Sequence, residues 1–353
     1  ASTNGYLYRR NREMNFYNFL NLLRYQKTIG SHHIEALVAH EASEFTEKYN
    51  IMSGSNMVDP NSLDFNNLLV TNPNSGYTES YSLESFFGQF NYDYNKTYLF
   101  SASLRRDGSS RFVNNKWGTF GSLGAGWVLS NEAFLESSTW LDFLKLKTSY
   151  GVIGDQAGVG FYPGYDIFNI VNVDGNPAFS FDKKGNPDLS WERSQMFQVG
   201  AEFEISNWLS GNIEYYLKNT DKLIFERRIG PSIGYSLINV NDGNLRNQGL
   251  EFDFTGHLLK GKNYYVDLTV NGESFKNKIT KMPIDPTTGQ QKPLDIQTYY
   301  GWSVGHSIYD FYVPEYIGVD PEDGRSQWTS YYLDKNSNGV LDPKEEIVSL
   351  GSY

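Results

Sequence analysis

The chain has 353 residues, a formal net charge of −11 and no cysteine. An acidic chain of this kind lacks the clustered Lys and Arg that displace counterions from nucleic-acid phosphates, and the absent thiols exclude disulfide frames and Cys-based zinc or redox sites. Aromatic residues make up 16% of the chain and Tyr alone numbers 26, a bias that suits a membrane interface where the ring is buried and the hydroxyl stays wet.

The opening ASTNGYLYRRNRE has no apolar signal core, and the chain starts inside a strand pattern and stops in mid-loop, so it reads as part of a longer protein. Candidate strands then follow near 13–27 and 32–45, although NFYNFLNLLRYQKTI also fits a helical stripe. His32 and His33 adjoin between them; neighbours on a strand point to opposite faces, so the pair makes a poor chelate and belongs in a wet turn. The next strands, 82–94 and 97–106, alternate cleanly. Phe90, Tyr92 and Tyr94 share one face against Gln89, Asn91 and Asp93, and Tyr98, Phe100, Ala102 and Leu104 oppose Ser101, Ser103 and Arg105. Strands near 117–130 and 142–152 come next. GTFGSLGAGWVLSN at 118–131 is the nearest approach to an apolar run, but glycines break it and no stretch is long enough for a transmembrane helix.

Strands near 193–206, 207–220, 246–259 and 262–275 repeat the pattern. Phe197, Val199, Ala201 and Phe203 alternate with Gln198, Gly200, Glu202 and Glu204, and Leu250, Phe252 and Phe254 with Glu251, Asp253 and Thr255. Connections at 28–31, 95–96, 206–207 and 259–262 are tight, with a longer one at 131–141; those at 46–81, 106–116, 153–192, 221–245 and from 276 onward are long. Every second connection is therefore long, and all long loops lie at one end. Short turns inside and long loops outside are the polarity of an outer-membrane barrel, so the expected fold is all-β: an antiparallel transmembrane β-barrel wall of about ten strands.

The long loops carry the remaining chemistry. In 276–353, Asp334, Asn336, Asn338, Val340, Asp342 and Glu345 match the spacing of a calcium loop with Gly339 at its sharp turn, which suggests Ca2+; a polar loop rich in turn formers is the alternative. Tyr165, Trp191, Trp302, Tyr312 and Trp328 are candidates for stacking sugar rings or meeting a partner protein, or for packing loops on one another. Asp155, Asp188 and Glu192 show no spacing that fixes a carboxylate pair at one bond, and no enzyme is expected.

Several ordered motifs resemble one family. Ser103-Leu-Arg-Arg-Asp-Gly-Ser-Ser-Arg-Phe112, Trp117-Gly-Thr-Phe120, Gly126-Trp127-Val-Leu-Ser-Asn-Glu132, Asn186-Pro-Asp-Leu-Ser-Trp-Glu192 and Asn244-Leu-Arg-Asn-Gln-Gly-Leu-Glu251 are similar to signatures of SusC/RagA-type TonB-dependent outer-membrane transporters. Departures are mild: Asp155 stands where the family often has Asn, and 334–339 is less acidic than its usual counterpart. The resemblance implies a barrel of about 22 strands around a plug, in the outer membrane of a Gram-negative bacterium of the Bacteroidota type. It also implies a SusD-like surface lipoprotein over the long loops, energy from the TonB complex through N-terminal parts absent here, and import of oligosaccharide or oligopeptide. Ten strands cannot close such a barrel, because an open edge in lipid leaves backbone groups unpaired. The alternative of a different class is a soluble extracellular carbohydrate-binding β protein.

Overall fold

The computed structural model describes residues 4–228, 237–285, 288–297 and 299–328. They form strands and two single 3-10 turns. In chain order the strands are β1 (Tyr6–Ile29), β2 (His32–Met57), β3 (Leu68–Thr71), β4 (Ser75–Tyr94), β5 (Tyr98–Ser109), β6 (Trp117–Val128), β7 (Leu141–Asp155), β8 (Ile167–Val173), β9 (Asn176–Lys183) and β10 (Glu192–Ile205). There follow β11 (Leu209–Asp221), β12 (Ile224–Arg228), β13 (Leu237–Asn241), β14 (Asn244–Lys260), β15 (Tyr265–Lys281), β16 (Asp295–Gln297), β17 (Tyr300–Trp302), β18 (Tyr316–Val319) and β19 (Ser326–Trp328). No helix among the described residues is long and apolar enough to cross a membrane.

The chain divides into two compact units, Ala1–Ala125 with Gln156–Trp191, and Gly126–Asp155 with Glu192–Tyr353. The first carries the antiparallel ladder β1-β2-β4-β5, with β3 paired to β2. The second carries β7-β10-β11-β14-β15. Each of the expected long strands is therefore present, and residues 15–29 are strand rather than helix.

Register converts the alternation into two distinct faces. In the first ladder Leu23, Val38, Phe90, Phe100 and Leu104 fall on one face, and Glu41, Ser85, Gln89, Ser103 and Arg105 on the other. In the second, Leu146, Val199, Phe203, Ile213, Phe252 and Phe254 oppose Lys147, Glu202, Glu214, Glu251 and Glu273. The apolar faces are open: Leu104 is 63% and Leu23 69% exposed. A soluble sheet would bury such a face, whereas a face turned to lipid needs only apolar side chains.

Tight turns close one end of each ladder. Asn95 and Lys96 both have φ +53°, and Ser206 and Asn207 have φ +47° and +55°, the paired left-handed conformations of a type I′ hairpin whose twist matches its strands.

At the opposite end the structure corrects the expected loop boundaries. Residues 46–81 are mostly strand: β2 runs 26 residues and β4 20, in register from Ile51 opposite Ser75 to His32 opposite Tyr94. Since β5 ends at Ser109, opposite Leu83, residues 6–17, 45–57 and 75–82 project beyond it as a three-stranded ribbon. About 9–11 tilted residues suffice to cross the apolar band, so the ribbon lies outside the spanning segment. Without lipid on one face the ribbon lacks the two-residue hydrophobic period that reveals a strand. The other long connections hold hairpins of their own, β8–β9 and β12–β13.

Candidate functional site

The tightly packed apolar residues lie where long connections fold onto the ladders. In the first unit, residues 110–116 and 156–191 close over each other. Phe112 is fully buried, Leu189 1% and Val159 4% exposed. The Phe112 ring lies 5.4 Å from Trp191, which also meets Phe120 at 5.7 Å and donates its indole N–H to the Lys116 carbonyl at 3.0 Å. The Asn114 amide donates to the Pro187 carbonyl (3.0 Å), its side chain to Asp188 Oδ1 (2.8 Å), and Asn115 Nδ2 to the Asp188 carbonyl (2.8 Å). Residues 186–191 thus strap the connection between β5 and β6.

Arg111 anchors the next layer. Its guanidinium lies 4.2 Å from the Tyr81 centroid and 5.5 Å from that of Phe161, and Nη1 donates to the Gln156 carbonyl at 3.1 Å. Burial pushes this guanidinium down from its ordinary value, opposed by Tyr81, and its buried Nε has no hydrogen-bond partner among the described residues. Such desolvation is tolerable because the ring faces replace part of the lost hydration. Tyr165, beside this layer, is 48% exposed, and Gly185 lies so close to the Tyr165 backbone that a Cβ would not fit.

The polar face below is an ionic lattice. Arg105 donates to Asp107 (2.6 Å), Glu41 (3.2 Å) and Ser85 (2.9 Å) while lying 4.9 Å over Phe87. Further out, Arg12 grips Glu47 with Nε and Nη2 at 2.8 and 2.7 Å, a bidentate pair.

In the second unit Lys147 bridges Glu202 at 3.1 Å and Glu214 at 2.9 Å, and Lys145 reaches Glu202 at 3.1 Å. Glu214, Glu251 and Glu273 occupy one row across β11, β14 and β15, so this polar face is acidic.

Its long connections converge on Asp242, which is 7% exposed. Arg227 donates to Oδ2 at 3.0 Å, Lys281 to Oδ1 at 2.9 Å, and the Ile284 amide to Oδ2 at 2.6 Å. Burial pushes this carboxyl up, but the Ile284 amide and the two cations outweigh it and hold it below the usual carboxylate range. Trp302 donates its indole N–H to the Ile308 carbonyl at 3.0 Å and meets Phe225 edge-on at 5.8 Å. The Tyr312 amide donates to the Tyr299 carbonyl at 2.7 Å, with its ring against Gly301. Trp328 is 39% exposed and meets Tyr316 at 5.3 Å.

The aromatic candidates therefore divide by unit: Tyr165 and Trp191 stand in the first, Trp302, Tyr312 and Trp328 in the second. Trp191 and Trp302 are engaged in packing, whereas Tyr165 and Trp328 present open surface. The calcium-type loop 334–345 lies outside the described residues, among which no group of three His, Asp or Glu side chains is placed to hold a metal. His32 and His33 sit at the first turn on separate partners, Tyr92 at 2.8 Å and Thr28 at 2.9 Å. Asp188 and Glu192 hold backbone and side-chain donors of neighbouring connections, Asn114 and the Ile224 amide. Sequence reasoning quoted Arg111 and Phe112 only as motif letters and missed Asp242, because single polar residues in a long connection carry no periodic signal.

Comparison with known proteins places these features. A family model described as TonB dependent receptor-like, beta-barrel matches residues 1–351. TonB-dependent receptor P39 of Formosa agariphila is 30% identical over 96% of the chain and 34% of the relative. TonB-dependent receptor SusC of Bacteroides thetaiotaomicron is 30% identical over 78% of the chain and 29% of the relative. The solved structure of the RagAB peptide transporter superposes with a TM-score of 0.79 at 27% identity, covering 96% of this chain and 38% of that one. The chain thus spans about a third of the length of these relatives.

Proposed function

The chain belongs to the TonB-dependent receptor β-barrel family, whose members are outer-membrane proteins, and on that footing we propose that the protein imports oligosaccharides or oligopeptides across the outer membrane. The observation that carries this reading is the two-faced ladder in each unit: an open apolar face against lipid and a charged inner face along which a polar oligomer can pass. Similarity to a peptide transporter supports the peptide class, and the resemblance to SusC/RagA-type transporters implies the oligosaccharide one.

Long-loop packing supports a role in substrate capture. Trp191 and Trp302 hold their connections in place and Tyr312 packs against Gly301, so that Tyr165 and Trp328 are offered to ligand or to a SusD-like lipoprotein seated over the loops. Force for import comes from the TonB complex through other parts of the protein. Spacing in the sequence supports Ca2+ bound by Asp334, Asn336, Asn338, Val340, Asp342 and Glu345, fixing the last described connection.

The test is uptake by cells expressing the full-length protein, using mixed fluorescent maltooligosaccharides and hexapeptides. Accumulation of one mixture that disappears when TonB is deleted is expected. Equal accumulation of both mixtures without TonB would contradict the reading.

A further inference from the structure

The projecting ribbon of β1, β2 and β4 carries three consecutive cross-strand rows on one face: Tyr49 opposite Tyr77, Glu47 opposite Glu79, and Phe45 opposite Tyr81. Both aromatic rows are stacked, the first with centroids 5.0 Å apart at 16° and the last 5.4 Å apart at 30°. Two carboxylates directly opposite each other are unfavourable unless cations offset them. Arg12 supplies one cation, but both of its contacts go to Glu47.

Two of the aromatic members, Tyr49 and Tyr81, have positive partners as well. Arg10 lies 5.7 Å over Tyr49, and Arg111 lies 4.2 Å over Tyr81. Phe161 caps the last row, 6.0 Å from Phe45 and 5.8 Å from Tyr81. Of the two opposed carboxylates only Glu47 is paired; Glu79 has no ion-pair or hydrogen-bond partner among the described residues. It is half-buried, and burial, then the charge of Glu47, push its carboxyl up. Any cation that arrives there relieves both costs at once.

We propose that Glu79, flanked by the Tyr49–Tyr77 and Phe45–Tyr81 rows, binds a cationic group of the imported oligomer, the ammonium or guanidinium of a Lys or Arg side chain in a peptide. The chemistry fits each part: a carboxylate forms a charge-assisted hydrogen bond, and aromatic surface pairs with the apolar stem and charged head of such a side chain. A neutral sugar gains the stacking but nothing from the charge. The site lies on the face that continues the polar inner surface outward, where a passing chain first meets the ladder. This inference rests on the importer reading and narrows its substrate to basic peptides.

The test uses the full-length protein in detergent and a random hexapeptide library, with retained peptides sequenced by mass spectrometry. Wild type is expected to enrich Lys and Arg, and Glu79→Gln to lower that enrichment about ten-fold, the loss of one charge-assisted contact. Glu79→Lys is expected to shift enrichment toward Asp and Glu, a gain that misfolding cannot mimic. Equal Lys and Arg enrichment in wild type and Glu79→Gln would overturn the proposal. Retention of oligosaccharides but no peptides would overturn it too while leaving import intact. Loss of a co-purifying protein from Glu79→Gln with peptide enrichment unchanged would overturn it in favour of a protein partner.

Discussion

At the scale of single residues, the charged side chains that matter are those whose partners come from distant points in the sequence. Asp242 joins Arg227, Lys281 and the Ile284 amide, three donors separated by up to 42 positions from it. Its folded carboxyl is held below its unfolded value near 3.9, so ionisation favours the folded connections. That contribution is complete above about pH 4 and is lost as pH falls through the depressed folded value. Hydrogen exchange of the amides of Lys281, Met282, Ile284 and Asp285 in the full-length protein is expected to stay slow from pH 7 to about 4 and to lose protection below it. Asp242→Asn is expected to show weak protection throughout, with no acid transition. Loss of protection centred between pH 5 and 6, or an unchanged transition in the variant, would refute this role. None of it was legible in the sequence, where Asn241-Asp242-Gly243 reads as a turn.

At the scale of elements, the strands and the connections were legible to different degrees for one physical reason. Strand segments beside the tight turns separate two solvents, lipid and water, so Phe90, Phe100, Phe203 and Phe254 repeat at every second position. Residues 45–57 and 75–82 lie beyond the lipid band; Glu47, Tyr49, Ile51 and Ser53 follow no apolar alternation, so the sequence there reads as loop. The tight turns at Asn95-Lys96 and Ser206-Asn207 were visible as gaps between patterns. Of the site, the aromatic loop residues were visible by type, but which of them pack and which stay open depended on partners such as Phe120 and Phe225. The strap at 186–191 also makes a prediction at this scale. Phe112→Ala removes a fully buried ring beside Trp191, a loss of about 3–5 kcal/mol for such a site. The ladders do not depend on that ring, so the loss falls on the local opening of 156–191. Limited proteolysis in detergent is expected to cut this segment more than ten-fold faster in the variant, roughly what a fraction of that energy implies, with heat-modifiable barrel migration on gels unchanged. Unchanged cleavage would show that the strap is held by its hydrogen bonds to Asn114 and Asn115 instead.

For the whole chain, each unit combines a strand ladder, its wall, with long connections packed onto strand ends. The wall holds few buried side chains because both of its faces meet a solvent. The apolar cores, Phe112 with Leu189 in one unit and Ile279 with Met282 in the other, lie where connections return onto strands. Strand residues thus answer to lipid and backbone pairing, and connection residues to the partners they pack against. The acidic row Glu214, Glu251 and Glu273 and the lone Glu79 give the polar faces a negative bias that accords with the chain's net charge of −11.

The apolar face of each ladder meets lipid and the polar face does not. Because the chain has no cysteine, single cysteines can be placed at Phe86, Phe90 and Phe100, and at Gln89, Asn91 and Ser103, in the full-length protein and labelled with an environment-sensitive fluorophore. In vesicles containing brominated lipid, labels at the first three positions are expected to be quenched and those at the second three to be spared, alternating along β4 and β5. Uniform protection of all six, or quenching of the polar set, would contradict the account.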